Sequence, residues 1–526
     1  MQRSQVESAL RQLLVEQPGQ NKRQLLAGLQ RRGLPVLTTT DVNRTLYARR
    51  TTFAHDGDTP PRWYLNTSSG YDGVATLATT VLPRCYDGYP PRSWQTEALA
   101  VWQARGRRGV VEAVTGTGKT AVGVLAAAAA VDVGERVLVL VPGRELLDQW
   151  YSVLRRDLPG IRVGRFGDGH KDSLYNHWIV VAVVNSAAKY QMLPAGTPGL
   201  LVADEVHRYG APTFAQALEP GFHARLGLTA TYAREDSGLA ERLEPYFGSV
   251  VAGCSYERGL TDEILAPFRV GFLGTDFTPD ERAKHDEYDE RATALRRRLI
   301  LDHGCPDEPF GEFMAAVNQL RQGGHPDARA RDDARSYLSA FSKRRQLLAD
   351  CRRKHEVLAS LTPIFALADR GLVFTETTTS AEQAASVLCG KGLPALEITS
   401  ELKRDERKQR LEAFKNGHVK VLTAPRILDE GIDVPQADVG VIVAGSRSKR
   451  QMIQRMGRII RPKQDRRAAT FLVLYVTDTA EDPGRGAHED FREQLIEVAQ
   501  DAVDFGPQAT AADVFAWYYQ GRQQIS

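Results

Sequence analysis

A short segment rich in glycine and threonine has the residue types and spacing of a phosphate-binding loop. It runs from Ala113 to Thr120, follows an apolar stretch and precedes an alanine-rich, helix-forming stretch. Glycines let consecutive backbone N–H groups converge on phosphate oxygens, and the following helix adds the positive end of its dipole. The lysine offers a cation to the terminal phosphates and the last threonine offers a hydroxyl to Mg²⁺. The pattern, with Ala113 in place of its usual first glycine, predicts an ATP site made by Thr115, Gly116, Thr117, Gly118, Lys119 and Thr120.

Paired acids follow a second apolar run. Asp204 and Glu205 are therefore predicted at the carboxyl edge of a parallel sheet, where such sheets bind ligands. Beside a phosphate-binding loop, Asp204 would hold Mg²⁺ and Glu205 would orient and deprotonate an attacking water. His207 is predicted to couple this site to a second domain, with burial in the core as the alternative. The hydroxyls of Thr229 and Thr231, after another strand end, are predicted to relay the state of the terminal phosphate.

The second half of the chain supplies cationic groups that the first half lacks. Arg458 and Arg461 are three residues apart and share one helix face, from which guanidinium groups can stabilise the transition state of phosphoryl transfer. Hydrolysis would then require the two halves to close around ATP, which couples it to domain movement. Gln454 is predicted as a catalytic residue together with these arginines. The predicted nucleotide site takes residues from both halves, namely Arg92 and Gln95 for adenine, with Gly431 and Asp433.

Length and hydrophobic periodicity divide the chain into segments. A chain of 526 residues exceeds one ordinary core. Strand-like apolar runs alternate with helical ones in two stretches, the pattern of a parallel sheet with crossover helices. The prediction is an α/β protein with two parallel-sheet domains in tandem, after a small winged-helix (α+β) domain and with a helical insertion. The predicted segments are a winged helix at 1–66, a linker at 67–91, the first sheet domain at 92–277, a charged helical insertion at 278–360, the second sheet domain at 361–480 and a helical tail at 481–526.

Composition and charge restrict the class of protein. Hydrophobic residues make up 42% and charged residues 25%, as in soluble globular proteins, and no apolar run is long enough for a membrane helix. Five scattered cysteines form no CxxC pair, so neither a zinc site nor a disulfide framework is predicted, and a cytoplasmic location is expected. Residues 1–66 carry ten Lys and Arg against five Asp and Glu. This surplus favours a polyanionic partner for that segment, with an ordinary solvated basic face as the alternative.

Taken in order, these segments resemble the core of superfamily 2 helicases, from Arg92 to Val476. The resemblance implies two RecA-like domains. Further segments resemble the motifs named Ia, Ic and IV, which in that family hold the phosphate backbone of one strand without reading its sequence. This implies strand contacts by Arg144, Ser186 and Thr375. The family's motif V usually has a threonine near Pro425, and this chain departs from that pattern.

A finer resemblance is to the XPB-type helicases. Arg234-Glu235-Asp236 follows Thr231 closely, as the RED motif does in that family. The resemblance implies that Arg234 contacts DNA and assists strand separation, and that the chain tracks DNA in the 3′ to 5′ direction. The insertion at 278–360 either corresponds to that family's thumb-like element or is an ordinary solvated helical pair.

The N-terminal segment resembles the Zα winged-helix domain, which binds left-handed Z-form nucleic acid. The matching residues are an asparagine and a tyrosine four apart on the predicted third helix, a stiff proline pair and a tryptophan, although the family's lysine is missing near Thr39. The alternative is a generic winged helix that binds B-DNA or a protein, with its aromatic residues in the core. The resemblance implies a nucleic-acid surface made by Asn43, Arg44, Tyr47, Pro60, Pro61 and Trp63.

These observations together predict an ATP-dependent DNA helicase or translocase, with ATP and Mg²⁺ as cofactors and duplex or forked DNA as partner. One alternative is an RNA-directed helicase with a sensing role, since Zα domains also bind Z-RNA. Another is a nucleotide-gated nucleic-acid clamp, against which the intact Glu205, Arg458 and Arg461 argue. The sequence shows no metal-binding cluster typical of nucleases, so a nuclease would have to be a separate partner.

Overall fold

The computed structural model describes the chain in ranges separated by gaps: 3–32, 42, 46, 53–55, 62–65, 82–234, 236–308, 310–322, 327–425, 437–443, 467–483, 495–496 and 498–523. The strands of these ranges form two large sheets and one short hairpin. None of the helices in the described ranges is long and apolar enough to cross a membrane.

The first sheet has eight strands in the spatial order β10-β3-β9-β8-β4-β7-β5-β6, and only the β5–β6 pair is antiparallel. Its central strands are apolar and buried on both faces, as parallel sheets require. We call this sheet with its helices the first unit. Its strands are β3 (Arg108–Ala113), β4 (Arg136–Val141), β5 (Val163–Gly167), β6 (His170–Lys171), β7 (Ile179–Val183), β8 (Gly199–Asp204), β9 (Ala224–Thr229) and β10 (Val250–Cys254).

Helices cover both faces of the first sheet and connect its strands. The longer ones are amphipathic or alanine-rich, and they bury tryptophans and aliphatic residues against the sheet. The helical segments are Ser93–Ala104, Lys119–Asp132, Arg144–Asp157, Val184–Ala187, Pro212–Ala215, Glu244–Phe247 and Tyr256–Thr261, with a 3-10 turn at Val206–Gly210 and a π turn at Leu239–Leu243.

The second sheet has seven parallel strands in the order β13-β14-β12-β15-β16-β11-β17. With its helices it forms the second unit, so the two parallel-sheet domains predicted from the sequence are confirmed. Its strands are β11 (Phe268–Thr275), β12 (Gly371–Thr375), β13 (Ala395–Glu397), β14 (Val421–Pro425), β15 (Val439–Ile442), β16 (Ala469–Val476) and β17 (Asp501–Phe505). Its helices are Thr362–Leu367, Thr378–Cys389, Arg404–Lys415 and Ala511–Gln523.

The boundary predicted at residue 277 is wrong, because strand β11 belongs to the second sheet. It pairs with β16 on one side and β17 on the other. Its apolar residues Phe268, Val270 and Phe272 lie in the core of the second unit. An apolar strand can pair with any sheet that offers a matching edge, and here both partners come much later in the chain.

The sequence predicts a solely helical tail from residue 481, but the tail also contributes strand β17. Arg269 of β11 holds this strand in place through Nη2, 2.6 Å from Asp501, and through Nη1, which donates to the carbonyl oxygen of Trp517. The Trp517 indole also donates to Asp501, at 2.8 Å. The tail therefore supplies the last strand of the second sheet.

The insertion is helical, as predicted. Its helices are Pro279–Leu301, Phe310–Arg321, Ala328–Ala349 and Arg352–Ser360. The first begins with a capping box, in which Thr278 and Glu281 exchange side-chain and backbone hydrogen bonds. Aromatic and aliphatic residues from three of these helices form a separate core. Arg345 ties the insertion to the second unit through Glu376, at 2.5 Å.

A buried ion pair joins the last of these helices to the tail. Lys354 is fully buried, and its ammonium lies 2.5 Å from Glu481 Oε2 and 3.0 Å from the carbonyl oxygen of Leu348. Replacing Glu481 by Ala would leave this charge without its counter-ion. We expect the free energy of unfolding, measured by urea titration, to fall by about 3–5 kcal/mol.

A double variant controls for the effect of charge. Lys354→Met combined with Glu481→Leu removes both charges and keeps apolar volume, so most of the lost stability should return. If Glu481→Ala were as stable as the wild type, the ion pair would contribute nothing to the free energy of unfolding.

The N-terminal unit has helices Arg3–Glu16 and Lys22–Arg31 and the antiparallel hairpin of β1 (Phe53–His55) and β2 (Trp63–Leu65). Trp63 is only 1% exposed and packs in the core of this unit. This burial favours the alternative in which Trp63 is a core aromatic residue, and its contact with nucleic acid stays a prediction. The other predicted contacts lie outside the described residues: Asn43, Arg44, Tyr47, Pro60 and Pro61. The predicted linker is described from residue 82, and its residues 82–91 contain no helix or strand.

Candidate nucleotide and nucleic-acid site

The phosphate-binding loop connects β3 to the helix that begins at Lys119. Gly116 and Gly118 have φ angles of +93° and +95°, in the left-handed region that glycine adopts at little cost. A Cβ atom at Gly118 would also lie 2.7 Å from Gln95 Nε2. Both glycines are thus required by the backbone path, as the sequence predicts.

Side chains within the loop close it into a compact turn. The buried Thr117 hydroxyl donates to the carbonyl oxygen of Val114 at 2.7 Å. Lys119 Nζ donates to the carbonyl oxygen of Ala113 at 2.8 Å, so its ammonium lies across the start of the loop. The loop is closed in this way at the N-terminus of a long helix, where anions bind.

Arg92 and Gln95 support the loop from outside. Arg92 Nη1 donates to the carbonyl oxygen of Thr117 at 2.8 Å, and Gln95 Nε2 donates to that of Gly118 at 3.0 Å. The Gln95 side-chain oxygen accepts from the Arg92 backbone N–H at 2.8 Å. Both residues therefore lie at the nucleotide loop, and their contact with adenine stays a prediction.

Asp204 ends strand β8 and is held from two sides. Its Oδ1 accepts from the Glu205 backbone N–H at 3.0 Å, and its Oδ2 accepts from the indole N–H of Trp150 at 2.7 Å. Burial raises the pKa of the Asp204 carboxyl, while the Trp150 hydrogen bond and the charge of Lys119 oppose that rise. The role of Trp150 could not be predicted from the sequence, because a tryptophan in an amphipathic helix indicates only a core position.

Glu205 has a φ angle of +51°, which is unusual for a residue with a side chain. Such backbone conformations persist where the surrounding structure enforces them, often at functional sites. Its carboxylate is partly exposed and lies 3.5 Å from His207 Nδ1. The position after β8 keeps this acid at the sheet edge that carries the phosphate-binding loop.

His207, Thr229 and Thr231 form one hydrogen-bonded group. His207 is buried, and its Nδ1 lies 3.0 Å from the Thr229 hydroxyl. That hydroxyl donates to the carbonyl oxygen of Thr231 at 3.0 Å, so Nδ1 must be the donor to Thr229. These hydrogen bonds link the segment after β8 to the segment after β9. The role of the three residues in coupling stays a prediction.

Arg234 connects the RED-like segment to the same group. Its guanidinium makes two 2.6 Å hydrogen bonds to Asp236 and donates to the carbonyl oxygen of His207. The hydrogen bonds from Arg234 lower the pKa of Asp236. Only 14% of the Arg234 side chain is exposed, so this residue is held within the first unit, and its DNA contact stays a prediction.

Two predicted strand contacts lie at one edge of the first sheet. Arg144 follows β4 and is 72% exposed, with an ion pair to Asp168 at 3.0 Å. Ser186 follows β7, the neighbour of β4 in the sheet, and is partly exposed. The carboxyl ends of both strands therefore bring these residues to a common surface.

Thr375 does not share that exposure. It ends β12, which lies between β14 and β15 in the second sheet, and it is fully buried. Its hydroxyl donates to the carbonyl oxygen of Thr377 at 3.1 Å. Burial of this side chain does not favour a contact with nucleic acid, which stays a prediction for Thr375.

Comparison with known proteins identifies the family. The model for the helicase conserved C-terminal domain matches residues 354–463, and the model for the type III restriction enzyme, res subunit, matches residues 88–234. The chain is 30% identical to the DNA 3'-5' translocase XPB2 of Sulfurisphaera tokodaii over 392 residues, which are 72% of this chain and 81% of the relative. The chain belongs to the XPB family. It is an ATP-dependent helicase of superfamily 2, as the sequence predicts.

Other XPB-type relatives and solved structures agree. The DNA 3'-5' helicase XPB of Kineococcus radiotolerans is 27% identical, over 76% of this chain and 62% of the relative. Dbp5 of S. cerevisiae bound to RNA and ADP BeF3 has a TM-score of 0.53 and 14% identity, over 83% of this chain and 94% of that chain. At this identity the structural likeness shows the fold alone, which is two RecA-like domains in tandem.

Parts of the XPB-type core lie outside the described residues. They include the predicted catalytic residues of the second unit: Gln454, Arg458 and Arg461. They also include the predicted nucleotide contacts Gly431 and Asp433, and Glu235 of the RED-like segment.

The two units of this XPB-family helicase nevertheless meet at the nucleotide loop. Val114 of the loop and Ala230 lie in one apolar cluster with Phe268 and other residues of the second unit. In the connecting segment, Ile264 packs in the core of the first unit and the adjacent Leu265 packs in this shared cluster. Movement between the units would therefore change the packing around the nucleotide loop directly.

An ion pair fixes the connecting helix Tyr256–Thr261 to the first unit. Arg258 binds Glu97 through two hydrogen bonds of 2.9 and 3.0 Å, and Asp262 through one of 2.6 Å. Hydrogen bonding to Glu97 raises the pKa of Arg258. Glu97 lies on the helix that carries Gln95, so the ion pair links the connecting helix to the helix that supports the nucleotide loop.

Proposed function

We propose that this protein is a DNA translocase or helicase that couples ATP hydrolysis at the phosphate-binding loop to 3′ to 5′ movement along DNA. The main support is the convergence of Lys119, Asp204 and Glu205 at one sheet edge, next to the shared cluster of the two units. The proposed direction and substrate follow those printed for the XPB relatives. The proposed location is the cytoplasm.

The proposed metal is Mg²⁺, and the residues present fit it. Thr120 and Asp204 offer hard oxygen ligands, and in the described ranges no group of three or more His, Cys, Asp or Glu could hold a metal alone. Mg²⁺ in nucleotide sites usually takes one or two protein oxygens and completes its shell with phosphates and water. When bound, it would neutralise charge on the terminal phosphates.

In the proposed mechanism the first unit binds ATP and prepares the attacking water. The backbone of the loop and the Lys119 ammonium bind the phosphates, and Arg92 with Gln95 holds the loop at the adenine side. Glu205 orients the water and accepts its proton. Arg458 and Arg461 are proposed to reach the terminal phosphate from the second unit when the units close.

Strand binding is proposed at the surface formed by Arg144 and Ser186. These groups would contact phosphates, which holds DNA without regard to its sequence. Loss of the terminal phosphate would let the units separate, and each closure would then advance the strand. The N-terminal unit, with its surplus of five positive charges over residues 1–66, is proposed to bind nucleic acid as well, with Z-form as its candidate ligand.

ATPase rates with different nucleic acids test this proposal. We expect duplex or forked DNA to raise kcat by about tenfold or more, which equals about 1.4 kcal/mol of added transition-state stabilisation. Duplex RNA should stimulate less, and a Z-prone DNA should bind more weakly when residues 1–66 are removed. ATPase activity that DNA does not raise would contradict the proposed function, and stronger stimulation by RNA would favour an RNA-directed enzyme.

A further inference from the structure

The indole of Trp150 contacts the predicted metal-binding acid directly. Its Nε1–H donates to Asp204 Oδ2 at 2.7 Å, and Trp150 and Asp204 are only 1% and 7% exposed. The ring also packs on the helix of the phosphate-binding loop, because a Cβ atom at Gly123 would lie 2.5 Å from Trp150 Cη2. Trp150 is therefore confined between the nucleotide loop's helix and the acid.

The helix that carries Trp150 begins at the surface where strand binding is proposed. Its first residues are Arg144 and Glu145, and Glu145 Oε1 lies 3.5 Å from Arg407 Nη1 of the second unit. Trp150 is five residues further along, which corresponds to about 7.5 Å along the helix axis. A single rigid element thus contacts the predicted strand surface, the second unit and Asp204.

We infer that Trp150 is a positioning residue that couples strand binding and unit closure to the orientation of Asp204. The inference rests on the proposed function for the identity of the strand. A shift of this helix by about 1 Å would stretch the 2.7 Å hydrogen bond beyond the range in which such bonds are strong. The Asp204 carboxylate would then turn relative to the loop, so strand binding at one end changes the metal site at the other.

The hydrogen-bond acceptor of the Trp150 indole distinguishes this residue from an ordinary core tryptophan. Trp102 is equally buried in the same core, and its Nε1 donates to the backbone carbonyl oxygen of Arg225 at 3.0 Å. That arrangement satisfies the N–H group without involving a functional residue. Trp150 instead donates to a buried carboxylate, where a neutral donor orients the acid without adding a second cation beside Lys119.

The test is Trp150→Phe in the full chain, with Trp102→Phe as the matched control. Both variants keep an aromatic ring and lose one indole N–H group. The readout is the affinity for a fluorescent ATP analogue, with Mg²⁺ or with EDTA, and with or without duplex DNA. In Trp150→Phe we expect about a tenfold loss of the affinity measured with Mg²⁺, the size expected for a hydrogen bond to a charged group, and no change in EDTA.

The coupling itself is measured by the effect of DNA. In the wild type, DNA should tighten Mg²⁺-dependent nucleotide binding, and the nucleotide should tighten DNA binding by the same factor. Trp150→Phe should abolish this mutual effect, whereas Trp102→Phe should keep it. Arg407→Ala removes the contact between the second unit and Glu145, at the start of the helix that carries Trp150. It should reduce the effect of DNA and leave the nucleotide affinity measured without DNA unchanged.

The inference is overturned if Trp150→Phe retains both the Mg²⁺-dependent affinity and the effect of DNA within about twofold. It is also overturned if the two tryptophan variants lose affinity equally, because the loss would then be structural. If Trp150→Phe does not fold, an unchanged DNA effect in Arg407→Ala overturns it. Wild-type ATPase that DNA fails to stimulate would contradict the proposed function, while the Trp150–Asp204 role would still be decided by binding with Mg²⁺ against EDTA.

Discussion

Glu205→Gln is expected to lower ATP turnover by about 10²–10⁴-fold while ATP binding stays unchanged, because the amide cannot accept a proton from water. Glutamine has nearly the same shape as glutamate, so it can keep the contact with His207 Nδ1, which lies 3.5 Å from the carboxylate. The partly exposed position after β8 allows a water molecule to reach this side chain. Initial rates measure turnover, and a fluorescent ATP analogue measures binding.

A glutamate elsewhere in the same unit provides the control for this substitution. The carboxylate of Glu219 accepts backbone N–H groups of Met192 and Leu193, at 2.6 and 3.2 Å, and takes no part in the proposed mechanism. Glu219→Gln should therefore leave kcat within about twofold of the wild type, as is usual away from a catalytic group. Glu205→Gln with more than a tenth of wild-type turnover would show that another group activates the water.

The parts of the site that follow one another in the chain could be predicted from the sequence. Gly116 and Gly118 adopt left-handed conformations, as expected for a phosphate-binding loop between a strand and a helix. Asp204 ends an apolar strand and Glu205 follows it directly, which places both acids at the sheet edge. Local spacing and hydrophobic runs carry this information, because each depends on residues that are neighbours in the chain.

Features that depend on distant partners could not be predicted in this way. Strand β11 reads as an ordinary apolar strand, yet its pairing with β16 and β17 places it in the second sheet. The indole of Trp150 finds Asp204, which is 54 residues away in the chain. Nothing in the local pattern distinguishes this tryptophan from Trp102, whose N–H binds a backbone carbonyl.

Burial also separates residues that the family motifs predict alike as nucleic-acid contacts. Trp63 and Thr375 were predicted as nucleic-acid contacts from family motifs, and both are buried in the structure. Arg144, predicted in the same way, is exposed. Motifs thus locate the segment that approaches a ligand, whereas the packing of neighbouring elements decides which of its side chains is accessible.

Lys119→Ala is expected to weaken ATP binding by about 10- to 150-fold, the equivalent of about 1.5–3 kcal/mol for a hydrogen bond to a charged group. In the structure Nζ donates to the carbonyl oxygen of Ala113 at 2.8 Å, and its charge reaches Asp204. The ammonium is thus already positioned across the loop, so it would meet the phosphates without rearrangement. Turnover should fall further, by at least about 10³-fold in all, because charge develops on the phosphates in the transition state.

The two active-site variants should differ in which kinetic constant changes, and this difference tests the assignment of roles. Lys119→Ala should raise the Kd for the ATP analogue and lower kcat, whereas Glu205→Gln should lower kcat alone. Lys171→Ala, which removes an exposed lysine of the same unit, should change neither. If Lys119→Ala bound ATP as tightly as the wild type, the ammonium would not be a phosphate ligand, and the arrangement of the loop around Ala113 would have a structural purpose instead.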